Sequence, residues 1–321
     1  MPRLSTVAVI LLCIFTLFAD DNYAPHLTVP DAVRVTFVRD QQIYTANGDG
    51  SGVRQLTTGG TWKKMPKWSP DGTEIAYVTE GDRSRDPKSR WKIEVVSRDG
   101  QHVGTAPIRV TSADGTEIGT MRGVEYMGWL DDNHVYADGS FNPYNGEFRA
   151  IDVHSEKEGP WLAGNGFVTC PAKGWVAFFA PTFPPDKLLR VEVNAEDTDR
   201  YIIPDWDKLP SVNVKLLWTP NCQDVALVNA EPPATLILVG AEHGVRKIPL
   251  PDWPFENPAL SIVNRMLLIR SGSKALLYDF HRNAITEAPP MLLQQLDSDR
   301  AAREKVVQEL NGISPDWWPA P

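Results

Sequence analysis

From Val33 to Pro289 the chain alternates short apolar runs with clusters of Ser, Pro, Asp, Asn and Gly, a pattern of β-strands and turns. The clearest instance is KWSPDGTEIAYV, residues 67 to 78. Ser69, Pro70, Asp71 and Gly72 carry the residues that a type I turn favours at its four positions. Ile75 to Val78 continue as an unbroken apolar run of strand length, which predicts burial on both faces of a sheet. A single hairpin is not stable in water, so neighbours of the same kind are expected.

Copies are present. PKWSPDGTEIAYV (66 to 78), MGWLDDNHVYA (127 to 137), FVTCPAKGWVAFFA (167 to 180), LLWTPNCQDVALVNA (216 to 230) and ALSIVNRMLLIRSG (259 to 272) each read as strand, polar turn and apolar strand. Trp68, Trp129 and Trp218 fall at one place before the turn, with Val168 and Ser261 standing there in the other two copies. A second hairpin follows each copy, and 33 to 57 supplies an opening half unit. Four strands per unit, repeated every 40 to 60 residues or so, predict propeller blades. Six blades over 33 to 286 leave about 42 residues each, a normal blade length. Asp-Gly pairs at 49, 71, 99, 114 and 138 are read as the tight turns of these hairpins.

The run IYTANGDGSGVRQLT (43 to 57) followed by PKWSPDGTEIAYV resembles the TolB-type, WD40-like propeller repeat. That resemblance implies an all-β, six-bladed propeller of four-stranded antiparallel blades that meets proteins through its loop face. TolB itself carries a separate α/β domain before its propeller, whereas only Asp20 to Asp31 stand between the leader and the first strand here. A TolB-like ring without that domain is therefore expected. The first strands are expected to close it by lying beside the last hairpin, 275 to 286. The stretch RVTSADGTEIGTMRG (109 to 123) fits no blade and reads as an extra hairpin or a long connection. Residues 290 to 321 are expected to form a short helix, with Leu292, Leu293, Leu296, Val306, Val307 and Leu310 on one stripe, and a tail SPDWWPAP that docks back on the ring or, as the alternative, serves as a short ligand for another protein.

At the start, Arg3 precedes the uncharged LSTVAVILLCIFTLFA (4 to 19), which is short for a bilayer span and suited to a signal peptide, 1 to 19, or an N-terminal anchor if uncleaved. A periplasmic or secreted protein is expected. The absence of any Asn-x-Ser/Thr acceptor leans toward the periplasm. Outside the leader, Cys170 and Cys222 are too few for a disulfide scaffold, and whether they pair is open. The net charge of −9 without a basic cluster argues against nucleic acid and against an anionic lipid surface; the only membrane contact expected is through an uncleaved leader.

Candidate chemistry is sparse. NGDGSG (47 to 52) has Thr58 where a calcium loop needs Glu, so it reads as a hairpin turn. The turn at Asp71 lacks the trailing Trp of a sialidase Asp-box and reads as structural. Six scattered histidines predict no metal, no cofactor is implied, and no G-x-S-x-G elbow occurs. Trp62, Trp161, Trp206 and Trp253 lie in segments that join blades and share one face of a propeller. There they either wedge between blades or form an aromatic binding surface. The expected function is a non-catalytic binding module for an envelope or extracellular protein, with carbohydrate as another possible ligand. The alternative is a carbohydrate-active lyase or hydrolase using the tryptophans and the loop-face carboxylates Glu80, Asp82, Asp86, Asp205 and Asp252.

Overall fold

The computed structural model describes residues 33–80, 91–108, 110–111, 117–119, 123–140, 146–155, 158–179, 188–192, 201–202, 215–240 and 244–318. The expected signal peptide lies outside them. The chain forms a six-bladed β-propeller of four-stranded antiparallel sheets. From the inner strand outward, blade 2 is Lys63–Trp68, Glu74–Glu80, Trp91–Ser97 and His102–Pro107. Blade 3 is Gly123–Trp129, His134–Ser140, Gly146–Asp152 and the first half of Glu158–Cys170. The second half of that strand is the inner strand of blade 4, followed by Trp175–Phe179, Leu188–Glu192 and Tyr201–Ile202. Blade 5 is Leu217–Trp218, Asp224–Asn229, Thr235–Gly240 and Gly244–Pro249. Blade 6 is Ala259–Val263, Met266–Ser271, Lys274–Asp279 and Ala284–Glu287. The segment left over between blades 2 and 3 contains a separate hairpin, Val110–Thr111 with Glu117–Gly119.

Sandwiching explains the unbroken apolar runs. The second strands of blades 2 and 5 have buried side chains on both faces because each sheet packs against a blade on either side. Five apolar clusters join consecutive blades: 1 to 2 through Ile43 and Ile75, 2 to 3 through Ile93 and Met127, 3 to 4 through Phe148 and Phe178, 4 to 5 through Phe179 and Leu227, and 5 to 6 through Leu236 and Tyr278. Trp68, Trp129 and Trp218 each end an inner strand and are 6%, 6% and 8% exposed. The indoles of Trp129 and Trp218 donate to the inner strand of the preceding blade, at Lys67 O (2.9 Å) and Val168 O (3.0 Å). The tryptophan is thus a repeated wedge, and in blades 3 and 5 it also satisfies its own N–H, whereas Trp68 Nε1 is buried without a hydrogen bond. The counterparts of the tryptophan in blades 4 and 6 are Thr169 and Ile262, not Val168 and Ser261, because each pairs with the second residue of the next strand, as Trp68, Trp129 and Trp218 do. The turns there differ from SPDG, a 3-10 turn at Pro171–Lys173 and a two-residue turn at Asn264 and Arg265, and the equivalence shifts by one position.

The turn itself is conserved in geometry between blades 2 and 5. Asp71 accepts from Ser69 Oγ (2.6 Å) and Thr73 N (3.0 Å), and Asn221 accepts from Thr219 Oγ1 (2.8 Å) and Gln223 N (3.2 Å). Both side chains organise the backbone of a hairpin. The pair at Asp138 departs from expectation: Asp138 and Gly139 lie inside the strand His134–Ser140, paired with Tyr126 and Val124. Dipeptide chemistry favours a turn there, but pairing on both sides of the strand overrides it.

Closure also differs from expectation. The first strand, Arg34–Arg39, does not lie beside 275 to 286; it pairs with the C-terminal strand Ile313–Trp318, which becomes the inner strand of blade 1. That strand ends on a tryptophan as the inner strands of blades 2, 3 and 5 do, so the tail supplies the missing copy of the repeat. It also grips blade 2. Asp316 takes Lys67 Nζ (3.1 Å) and the Trp68 N–H (2.9 Å), and Trp318 Nε1 donates to Pro70 O (3.2 Å). The Trp318 indole lies against Gly72, whose φ is +71° and where any Cβ would collide with the ring.

Among the described residues no apolar cluster joins blade 6 directly to blade 1. The helix Pro290–Glu309 stands there instead. Leu292, Leu293 and Leu296 pack on Leu268 and Leu277 of blade 6, and Val306, Val307 and Leu310 pack on Val35 and Phe37 of blade 1. Cys170 and Cys222 form a disulfide, with Cα atoms 6.1 Å apart, that ties the inner strand of blade 4 to the first turn of blade 5.

Candidate functional site

Inner strands run from the face where the inter-blade connections enter to the face of the SPDG-type turns. The entering face carries most of the exposed large apolar side chains. Trp62 is 64% exposed just before the inner strand of blade 2, and Ile313 is 64% exposed at the first position of the inner strand of blade 1. Met291, 82% exposed, begins the helix that enters blade 1. Each stands at the head of a neighbouring connection, and exposed apolar groups gathered on one face mark an interaction surface.

The other expected tryptophans separate. Trp253 is half-buried, stacked on Phe255 (ring centroids 6.0 Å apart) beneath Lys274 Nζ (4.9 Å), and belongs to the cluster between blades 5 and 6. It is a wedge. Trp206 lies outside the described residues, and so does the side chain of Trp161, whose backbone pairs with Arg149 in blade 3. Of the carboxylates, Glu80 ends a strand at the entering face, where its N–H donates to Trp62 O (3.3 Å), and Asp252 is exposed in a bend before Trp253; Asp82, Asp86 and Asp205 lie outside the described residues.

A polar set not foreseen from sequence lines the inner strands of blades 1, 2 and 3. Lys67 reaches Asp316 and lies 5.5 Å from the Tyr126 ring centroid. Lys64 lies 4.1 Å from the Trp91 ring centroid and donates to Val124 O (3.3 Å). Lys63 is buried and donates to Thr61 O (3.1 Å); burial pulls its pKa down, opposed by the charge of Glu94. Tyr126 is 49% exposed, and its ring stands 5.9 Å from that of buried Tyr136. Burial pushes the Tyr136 phenol well above its ordinary value.

Asp138 shares the strand face of Tyr136, two residues away, turned toward blade 4. Burial, and then the negative charge of nearby Glu125, push its carboxyl up to about 7, against the Gly139 N–H that stabilises the anion. A carboxyl half-protonated at neutral pH, beside a second carboxylate and two phenols, can donate or accept a proton. Sequence gave no sign of it, since Asp138 was disguised as a turn residue. Among the described residues no three His, Cys, Asp or Glu side chains are placed to hold a metal.

No family model matches the sequence, and no curated protein matches it. Solved structures are similar in fold. The periplasmic gluconolactonase of Pseudomonas aeruginosa is 12% identical, with 80% of this chain and 82% of that chain covered and a TM-score of 0.48. The β-propeller domain of the Trilobed protease from Pyrococcus furiosus is 11% identical, with 80% and 79% covered and a TM-score of 0.47. The hydrazine synthase of Kuenenia stuttgartiensis is 12% identical, with 76% and 73% covered and a TM-score of 0.48. None of these likenesses assigns a substrate or partner to this chain.

Proposed function

We propose that this propeller is an exported, non-catalytic binding module that holds an envelope or extracellular protein against the face where its inner strands begin. The observation that carries the reading is the exposed pair Trp62 and Ile313 at the heads of two adjacent inner strands. An indole that is not needed as a wedge is available as a binding anchor. The TolB-type resemblance of 43 to 78 supports the same face. Export is supported by the apolar leader 4 to 19 and by the Cys170–Cys222 disulfide, which suits an oxidising compartment. A photo-cross-linking residue at position 62 should yield one discrete adduct in the cells that make the protein. The same residue at position 53, in the turn before the outermost strand at the far face, should not. Equal adducts at both positions, or none at 62, would refute the reading.

One observation favours a second reading, a carbohydrate-active enzyme: the raised carboxyl of Asp138 beside Glu125. That reading requires D138N to abolish glycan cleavage that the unaltered protein performs near neutral pH. Absence of any cleavage across a polysaccharide panel would dismiss it.

A further inference from the structure

The seam between blades 6 and 1 holds a groove that the binding face does not use. Because the helix Pro290–Glu309 bridges the two blades rather than letting them pack directly, a cavity of about 920 Å³ remains beneath it. One wall is the inner strand of blade 6, with Leu260 and Ile262; the others are Leu296 and Val307 of the helix and Trp317 of the closing strand. The volume falls within the range of small-molecule sites. The groove is long: Ala259 to Asn264 extends about 17 Å at the rise of a strand, and Leu296 to Gln308 about 18 Å at the rise of a helix.

Its charges are unequal in their commitments. Arg270 is held bidentately by Asp297 (2.6 and 2.9 Å), and Arg300 by Glu304 (3.0 Å). Asp299 accepts from Gln295 (2.7 Å). Arg303 has no such partner: its guanidinium lies 5.1 Å from the Trp317 ring centroid, and its Nη1 is buried without a hydrogen bond. A buried donor left unpaired is costly, and a guanidinium stacked on an indole is already oriented for bidentate recognition of an anion.

We infer that this seam groove binds a fatty acid, its aliphatic chain lying between the inner strand of blade 6 and the helix and its carboxylate on Arg303. The aliphatic lining and elongated shape suit a chain rather than a ring system, and one uncommitted cation suits one carboxylate. This site is independent of the protein-binding face.

The test is isothermal titration of the disulfide-bonded protein with laurate and with dodecanol, which has the same chain without the charge. Laurate should bind more tightly than dodecanol. R303M should weaken laurate by about tenfold or more, the worth of a charge-assisted hydrogen bond, and leave dodecanol unchanged. R303K should recover part of the loss, and a melting temperature equal to that of the unaltered protein would show that each variant is folded. Equal affinity of laurate for the unaltered protein and R303M would overturn the inference. So would equal binding of laurate and dodecanol, or no laurate heat up to its solubility limit.

Discussion

Asp316→Ala removes one side chain that holds the closing strand to two blades. Its carboxylate bridges Lys67 Nζ at 3.1 Å and the backbone N–H of Trp68 at 2.9 Å, and both members of the ion pair are about three-quarters buried, at 24% and 25% exposed. A hydrogen bond to a charged group contributes about 1.5–3 kcal/mol, and a partly screened ion pair adds up to about 1 kcal/mol. The loss should therefore be near 3 kcal/mol, because the alanine also leaves the Trp68 N–H unpaired at the edge of a buried indole. Urea unfolding followed by far-UV circular dichroism under non-reducing conditions measures it as a fall in midpoint at unchanged slope. D316N, which keeps an acceptor for Trp68 and loses the charge, should cost less than half as much. A double-mutant cycle with K67M should return a coupling of about 1 kcal/mol. If D316A changes stability by less than about 0.5 kcal/mol, the size of an ordinary surface substitution, the closing strand is not held as described.

Three further outcomes follow from the same geometry. Replacing Cys170 and Cys222 by serine opens a closed loop with a sequence separation of 52, for which the chain-entropy relation gives about 4 kcal/mol; an unchanged urea midpoint with and without reductant would contradict it. Gly72→Ala should cost about 1–2 kcal/mol from its left-handed backbone alone and more from collision with Trp318, so a neutral result would deny that the indole rests there. Asp138 holds its proton up to about pH 7 when folded and releases it near 3.8 when unfolded, so its contribution is fully present below the unfolded value and is lost as pH rises through 7. Relative to D138N, the unaltered protein should thus gain stability as pH is lowered from about 8 to about 5, by up to about 1.4 kcal/mol per pH unit. A flat difference between the two would remove the buried carboxyl from the account.

The blades were legible because their signals are local. SPDG and its relatives fix hairpins over a few residues, and continuous apolar runs report sheets buried on both faces. The equivalence of Trp68, Trp129 and Trp218 was likewise readable, since each ends an inner strand. Closure was not. Ile313–Trp318 contains Ser314 with positive φ, a proline and an aspartate, has no alternating pattern, and gains its partner from the opposite end of the chain. The helix was readable from its stripe, but its place in the seam was not, because a stripe does not say that it serves two sheets. Asp138 shows the limit of dipeptide rules: the same Asp-Gly that turns the chain at 71 is held straight at 138 by neighbours on both sides. Trp62 and Trp253 stand in similar inter-blade segments, yet one is exposed and the other stacked on Phe255; only the packing of blades 5 and 6 separates them.

Hydrogen exchange of the backbone amides of Ile313–Trp318 tests the ring most directly. An inner strand paired with Arg34–Arg39 and gripping blade 2 should exchange as slowly as that first strand, and D316A should speed both together. Rapid exchange of the tail beside a fully protected first strand would mean that the circle is closed some other way.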